Sequence, residues 1–173
     1  NAYGLFLKGS SGQFTNSQVS VKCNGVDTNG HKSTGDISHT LWVHNNTIIT
    51  EDGAPLTAYD QAIVNANDNI LSGASEGSGI AIRDSTVNVH RNIVGPITGW
   101  NGMWILGDSE VVAENNTFEG AAKETILIGE YHFRDSGWNV NPPTTARIYF
   151  ANNIIRNNSG IDCNSATVYG GDF

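Results

Sequence analysis

The sequence predicts an all-β solenoid, a parallel β-helix of about six to seven coils built on an asparagine ladder, and three observations carry that expectation. A phrase of the form apolar, any, apolar, any, any, Asn, any, apolar occurs six times. Inside each period apolar residues alternate at spacing two, as in Val87 and Val89 or Ile148 and Phe150, which is strand spacing. No stretch keeps the i, i+3, i+4, i+7 spacing of an amphipathic helix over several turns, which excludes helical repeats.

The asparagines of the six phrases are Asn24, Asn46, Asn69, Asn92, Asn116 and Asn153, which lie 22, 23, 23, 24 and 37 residues apart. A period near 23 with one enlarged step means coils that cannot bury their apolar face alone and must stack. Each period holds a second strand ahead of the phrase, often opened by Gly: Gly4-Leu5-Phe6-Leu7, Gly79-Ile80-Ala81-Ile82, Gly102-Met103-Trp104-Ile105 and Gly160-Ile161-Asp162-Cys163. Equivalent asparagines then stack about 4.8 Å apart. Their amides, each both donor and acceptor, can hydrogen-bond along the column, so these six are assigned a structural role.

The coil Gly79-Ile80-Ala81-Ile82-Arg83-Asp84-Ser85-Thr86-Val87-Asn88-Val89-His90-Arg91-Asn92-Ile93-Val94 resembles the right-handed parallel β-helix repeat of the pectate-lyase-like superfamily. The likeness runs from Gly4 to about Val168. It implies a fold shared by polysaccharide lyases, glycoside hydrolases, epimerases, tailspikes, adhesins and surface-layer modules, so it does not by itself choose a function. The polygalacturonase-like branch carries Asn-Thr-Asp, Asp-Asp and Gly-His-Gly; here stand Asn46-Thr47-Ile48 and Gly30-His31-Lys32, with no Asp-Asp. The clustered Asp residues that hold calcium near a catalytic Arg in the pectate-lyase branch have no counterpart in this sequence.

Composition bounds the setting. The 173 residues suit one β-helix domain over 1–173, or a segment of a larger protein, with loop insertions at about 27–36 and 130–146. Nine basic against 17 acidic residues give a net charge of -8, which argues against nucleic acid and would repel a polyanionic glycan. No apolar stretch is long enough to span a bilayer. Abundant Asn, Ser, Thr and Gly with little Lys point to a secreted or cell-surface location. The triplets at Asn45, Asn115 and Asn157 match a glycosylation acceptor but arise from the Asn-rich corner.

The position after the second apolar residue of each phrase gives an outward column of Lys22, His44, Asn67, His90, Glu114 and Ala151, with Cys23, Asn45, Asp68, Arg91, Asn115 and Asn152 beside it. Polysaccharide β-elimination needs a base and a cationic group for the enolate, so Lys22, His44, His90, Arg91 and Glu114 are the catalytic candidates. Binding candidates lie in the second insertion, where Tyr131, His132, Arg134 and Trp138 concentrate aromatic and charged groups; Trp42 and Trp104 are further stacking candidates. No motif calls for a cofactor. A surface calcium at Glu51, Asp52 and Glu76 is the one ion the acids would suit, and no dedicated metal site is assigned. These features favour a non-catalytic extracellular module with a structural, assembly or glycan-contacting role, with a polysaccharide lyase or other carbohydrate-active enzyme as the alternative.

Neither end of the sequence shows an amphipathic capping helix, so either neighbouring subunits or domains cover the ends, or the caps lie outside the segment. Cys23 and Cys163 fall about six coils apart, nearly 30 Å, too far for an intramolecular disulfide. Small residues filling a corner and a core slot is the simpler role for both. End-to-end stacking of copies would instead bring Cys163 of one near Cys23 of the next. That arrangement predicts reductant-sensitive multimers on a gel; a single monomer band under oxidising conditions contradicts it.

Overall fold

Twenty short strands among the described residues wind into six coils and the start of a seventh in a computed structural model of the chain. The structure describes residues 4–30, 39–129, 144–157, 160–164 and 166–169. Coil one holds β1 (Leu5–Lys8), β2 (Gly12–Thr15) and β3 (Gln18–Val21); coil two β4 (Val26–Asn29), β5 (Thr40–His44) and β6 (Thr47–Thr50). Coil three holds β7 (Leu56–Tyr59), β8 (Ile63–Asn67) and β9 (Ile70–Gly73); coil four β10 (Ile80–Arg83), β11 (Thr86–His90) and β12 (Ile93–Ile97). Coil five holds β13 (Met103–Leu106), β14 (Asp108–Glu114) and β15 (Thr117–Glu119); coil six β16 (Ile126–Gly129), β17 (Thr144–Ala151) and β18 (Ile154–Arg156). β19 (Ile161–Asn164) and β20 (Ala166–Tyr169) follow.

Each strand pairs with its equivalents in the coils before and after, always parallel, giving sheet A (β1, β4, β7, β10, β13, β16, β19), sheet B (β2, β5, β8, β11, β14, β17, β20) and sheet C (β3, β6, β9, β12, β15, β18). Each coil therefore has three sides where the sequence suggested two strands. The third has three to five residues per strand and supplies one inward apolar column, so its alternation is hard to see. Among the described residues no helix is long and apolar enough to cross a membrane.

The core is a set of vertical columns. Leu41, Val64, Val87, Val111 and Ile148 share one register position in sheet B, and Val43, Ala66, Val89, Ala113 and Phe150 the other. All are buried, as are Ile48, Leu71, Val94 and Phe118 of sheet C and Ile80, Met103 and Ile126 of sheet A. Phe118 stacks on Phe150 with ring centroids 5.8 Å apart, closing the core under the last coils. Burying one such aliphatic side chain contributes about 1.5–3 kcal/mol.

The chain turns from sheet B to sheet C through a residue in the left-handed region: Asn16, Asn45, Asp68, Arg91, Asn115 and Asn152, with φ between 52° and 58°. Asn and Asp tolerate that conformation because the short side chain bonds locally, which explains their prevalence at the corner. The next residue forms the ladder. Nδ2 of Asn46 donates to Oδ1 of Asn69 at 3.0 Å, Asn69 to Asn92 at 2.9 Å, Asn92 to Asn116 at 3.1 Å and Asn116 to Asn153 at 2.9 Å. Each acceptor oxygen also takes the backbone N–H of the asparagine before it, at 2.8–3.0 Å. The second amide hydrogen of each donates into the preceding coil, to Phe14, Val43, Ala66, Val89 and Ala113 carbonyls in turn. Asn46, Asn69, Asn92 and Asn116 are buried with their polar atoms satisfied, as an interior amide requires.

Asn24 is not part of this ladder. In coil one the ladder position falls on Ser17, whose backbone N–H donates to Asn46 Oδ1 at 2.9 Å. Asn24 lies between sheets C and A, where its Nδ2 donates to Asp27 Oδ2 at 3.0 Å and its Oδ1 accepts the Ala54 N–H at 3.0 Å. Val19 and Val21 of β3 mimic the phrase, whereas β2 carries Gly12 and Phe14 at the two inward positions, and this shifts the sequence assignment by one side of the coil. The backbone of Cys163 in β19 is five strand steps from β4, beside which half-buried Cys23 lies, so the axial separation is about 24 Å rather than 30. The pair is still out of disulfide range.

Replacing Asn92 by Leu removes the oxygen that takes both the backbone N–H and the amide of Asn69 in the interior, so urea unfolding should show a loss on the order of 4 kcal/mol. Asn88→Ala removes one half-buried surface bond to Asn65 and should cost about 1 kcal/mol or less. Equal losses would contradict the ladder's role.

Candidate functional site

The strand alternation that fills the core pushes every other side chain of sheet B outward, and parallel register lines these up in columns. One column reads Thr15, His44, Asn67, His90, Glu114 and Ala151. The next reads Gln13, Trp42, Asn65, Asn88, Val112 and Tyr149. Together they make a flat polar strip along the shaft with an exposed aromatic near each end, Trp42 at 41% and Tyr149 at 45%.

His44, His90 and Glu114 thus share one column, as their spacing suggests. Lys22 does not: it follows β3, at the corner between sheets C and A, because the register shift that misplaced Asn24 carries Lys22 and Cys23 with it. Its place in the strip belongs to Thr15, and the Cys23 position to Asn16. Arg91 sits beside the strip at the left-handed corner, where Nε and Nη2 donate to Asp68 Oδ1 and Oδ2, both at 2.7 Å. Tyr131, His132, Arg134 and Trp138 lie outside the described residues. So does most of each insertion: β4 extends to Asn29 and β17 begins at Thr144, leaving 31–38 and 130–143 undescribed.

Within the strip the polar groups hold one another. The Asn67 amide nitrogen is 3.2 Å from His44 Nδ1, which makes that nitrogen the acceptor and puts the imidazole proton on Nε2. The same His44 ring stacks on Trp42, centroids 5.6 Å apart at 20°, so one face of the indole is covered. Asn88 Nδ2 donates to Asn65 Oδ1 at 2.9 Å. His90 Nδ1 lies 3.3 Å from Glu114 Oε2, which directs Nε2 of His90 away from the acid.

An oriented histidine is the beginning of acid-base chemistry, but its complement is missing among the described residues. Arg91, the nearest candidate cation, is held bidentate by Asp68. Glu110 and Glu114 point outward from the same strand four residues apart, about 13 Å, beyond the 5–9.5 Å window of paired glycosidase carboxyls. No three His, Cys, Asp or Glu side chains converge as a metal site among the described residues; Asp52 instead accepts from Ser75 Oγ at 3.3 Å. Trp104 is half-buried, its Nε1 donating to the Gly129 carbonyl at 3.0 Å and its ring edge-on to Trp100, so Trp42 is the open one of the two. Tyr149 was not among the candidates. Its signal is present as the residue between inward Ile148 and Phe150, legible once β17 is aligned on β14.

Compared with known proteins, the chain matches no family model, no curated sequence and no solved structure. The fold itself defines the class: a parallel β-helix whose outer faces present columns of side chains.

The Arg91 hydrogen bonds hold the Asp68 carboxyl below the usual carboxylate range. The folded value is the depressed one, so the pair's small contribution is present above the ordinary Asp range and lost as pH falls through the folded value. Carbon-detected titration should place Asp68 below the usual carboxylate range, and Arg91→Gln should raise it towards that range. An unchanged midpoint would contradict the pairing.

Proposed function

We propose that this chain is an extracellular, non-catalytic β-helix module of the pectate-lyase-like kind that contacts an extended, uncharged polysaccharide along sheet B. The observation that carries the proposal is the alignment of Trp42 and Tyr149 in one outward column, four strand steps or about 19 Å apart, with Asn65 and Asn88 between them. A flat face cannot enclose a small molecule. It suits a long chain that repeats its contacts as the coils repeat theirs. Exposed aromatic rings offer the apolar surface that packs on sugar C–H groups. Amide side chains, donor and acceptor at once, suit hydroxyl groups without demanding charge. The net charge of -8 favours a neutral polymer over a polyanion. Low Lys content with abundant Asn, Ser, Thr and Gly supports the extracellular setting. Parallel pairing, which joins one coil to the next, is also the means by which copies would stack end to end, and electron microscopy for fibres reads that out.

Affinity electrophoresis through gels containing xylan, mixed-linkage glucan, galactomannan or polygalacturonate should show retardation by at least one neutral polymer. Trp42→Ala and Tyr149→Ala should each weaken it about tenfold, equivalent to roughly 1.4 kcal/mol. Failure of every polymer to retard the protein, or undiminished binding by both variants, contradicts the proposal.

The His90–Glu114 contact favours one second reading, a polysaccharide lyase with His90 as base. Incubation with polyuronates, followed by absorbance of the unsaturated product, separates the two. The non-catalytic reading expects no product; product that disappears in His90→Ala supports the lyase.

A further inference from the structure

We propose that Tyr59, Asp60 and Arg83, at the corner where sheet A turns into sheet B, form a second binding point that takes two adjacent hydroxyls of a neutral sugar. Tyr59 and Arg83 end β7 and β10 and face each other across one strand step. The Arg83 guanidinium lies over the Tyr59 ring, 5.0 Å from its centroid. Its Nη2 is 3.0 Å from Asp60 Oδ1, and the other Asp60 oxygen accepts from Asn29 Nδ2 at 3.0 Å. Arg83 uses one of its five N–H donors in these bonds, and its side chain is 40% exposed. The Tyr59 hydroxyl makes no hydrogen bond among the described residues.

An Arg–Asp pair alone would be an ordinary surface ion pair worth about 0–1 kcal/mol. Two observations set this one apart. The register leaves three residues (Asp60, Gln61, Ala62) between Tyr59 and Ile63, as at the same corner of coil five (Gly107, Asp108, Ser109), against two (Asp84, Ser85) in coil four. Here Asp60 and Gln61 are both in the left-handed region, at φ 55° and 71°, whereas in coil five only Gly107 is. Successive non-glycine residues there cost about 1 kcal/mol or more each, and such strain concentrates at functional sites. Chemistry supplies the second. The Tyr59 phenol, a donor at neutral pH like any tyrosine, stands beside the guanidinium and the carboxylate, and burial, and then the nearby Asp27 carboxylate, push it up to about 12.

The ligand class follows from the donors, acceptors and charge. Asp60 and Arg83 set an acceptor and a donor one hydrogen-bond length apart. One hydroxyl of a vicinal diol can therefore donate to the carboxylate while its neighbour accepts from the guanidinium, with Tyr59 O–H donating to either oxygen. A carboxylate ligand is disfavoured. Asp60 already neutralises Arg83, and Asp27, buried at 7% exposure with Thr57 and Asn24 donating to its oxygens, adds negative charge behind the site. The pairing is readable in the sequence as Leu56-Thr57-Ala58-Tyr59 over Ile80-Ala81-Ile82-Arg83, but only once the register is known.

The test is NMR of the whole chain with labelled Arg and Tyr, titrated with methyl α-D-mannopyranoside as the neutral diol and sodium glucuronate as the anion. The proposal expects saturable shifts at Tyr59 and Arg83 with the mannoside and weaker ones with glucuronate. Tyr59→Phe, which keeps the ring and its packing, should weaken mannoside binding about fivefold. Asp60→Asn should weaken it at least as much, and Ile70→Ser, on the outer face of sheet C, should leave it unchanged. No saturable shift with the mannoside, equal affinity in Tyr59→Phe, or tighter binding of glucuronate overturns it. Reading the shifts at Tyr59 and Arg83 themselves keeps the outcome separate from the fate of the sheet B proposal.

Discussion

Everything in this molecule depends on coils lying in parallel register, and the buried carboxamides running from Asn46 to Asn153 are what make a slip costly. From Asn46 to Asn116 each of these side chains spends both amide hydrogens and its oxygen on fixed partners in adjacent coils. A one-residue slip would move those groups out of the corner and turn the apolar columns towards water. Hydrophobic burial supplies most of the stability, but it is indifferent to direction. The ladder supplies the register that burial lacks.

Fixed register is also what creates the outer faces. A residue's neighbours on the surface are those 23 or 24 positions away, so His44, Asn67, His90 and Glu114 become adjacent although dispersed in sequence. The faces differ in kind. Sheet B presents a level polar strip. The corner between sheets A and B presents a guanidinium, a phenol and a carboxylate beside two successive left-handed residues. The same scaffold thus offers a repeating surface for a repeating ligand and one singular point for a local contact.

Much of this was legible from sequence because coil geometry repeats. Five of the six ladder residues, from Asn46 to Asn153, follow from the phrase alone, as does the column from His44 to Glu114. Asn24 was misread because Val19 and Val21 alternate as a sheet B strand would, while the true strand, with Gly12 and Phe14, departs from the aliphatic pattern. That single shift displaced Lys22 and Cys23 as well. Sheet C was hidden because its strands are short. The partners of Tyr59 and Arg83 were hidden because the corners of successive coils differ by one residue, which breaks simple counting by 23. Local alternation fixes which way a side chain faces; only pairing between coils fixes which side chains meet.

The most direct test of the central claim is hydrogen exchange at the side-chain carboxamides, followed by NMR on an asparagine-labelled chain. The Nδ2 protons of Asn69, Asn92 and Asn116 should exchange far more slowly than those of exposed Asn45 and Asn115, and Asn24 should not share cross-strand contacts with Asn46. Rapid exchange at all of them, or contacts showing antiparallel neighbours, would contradict the ladder and the register built on it.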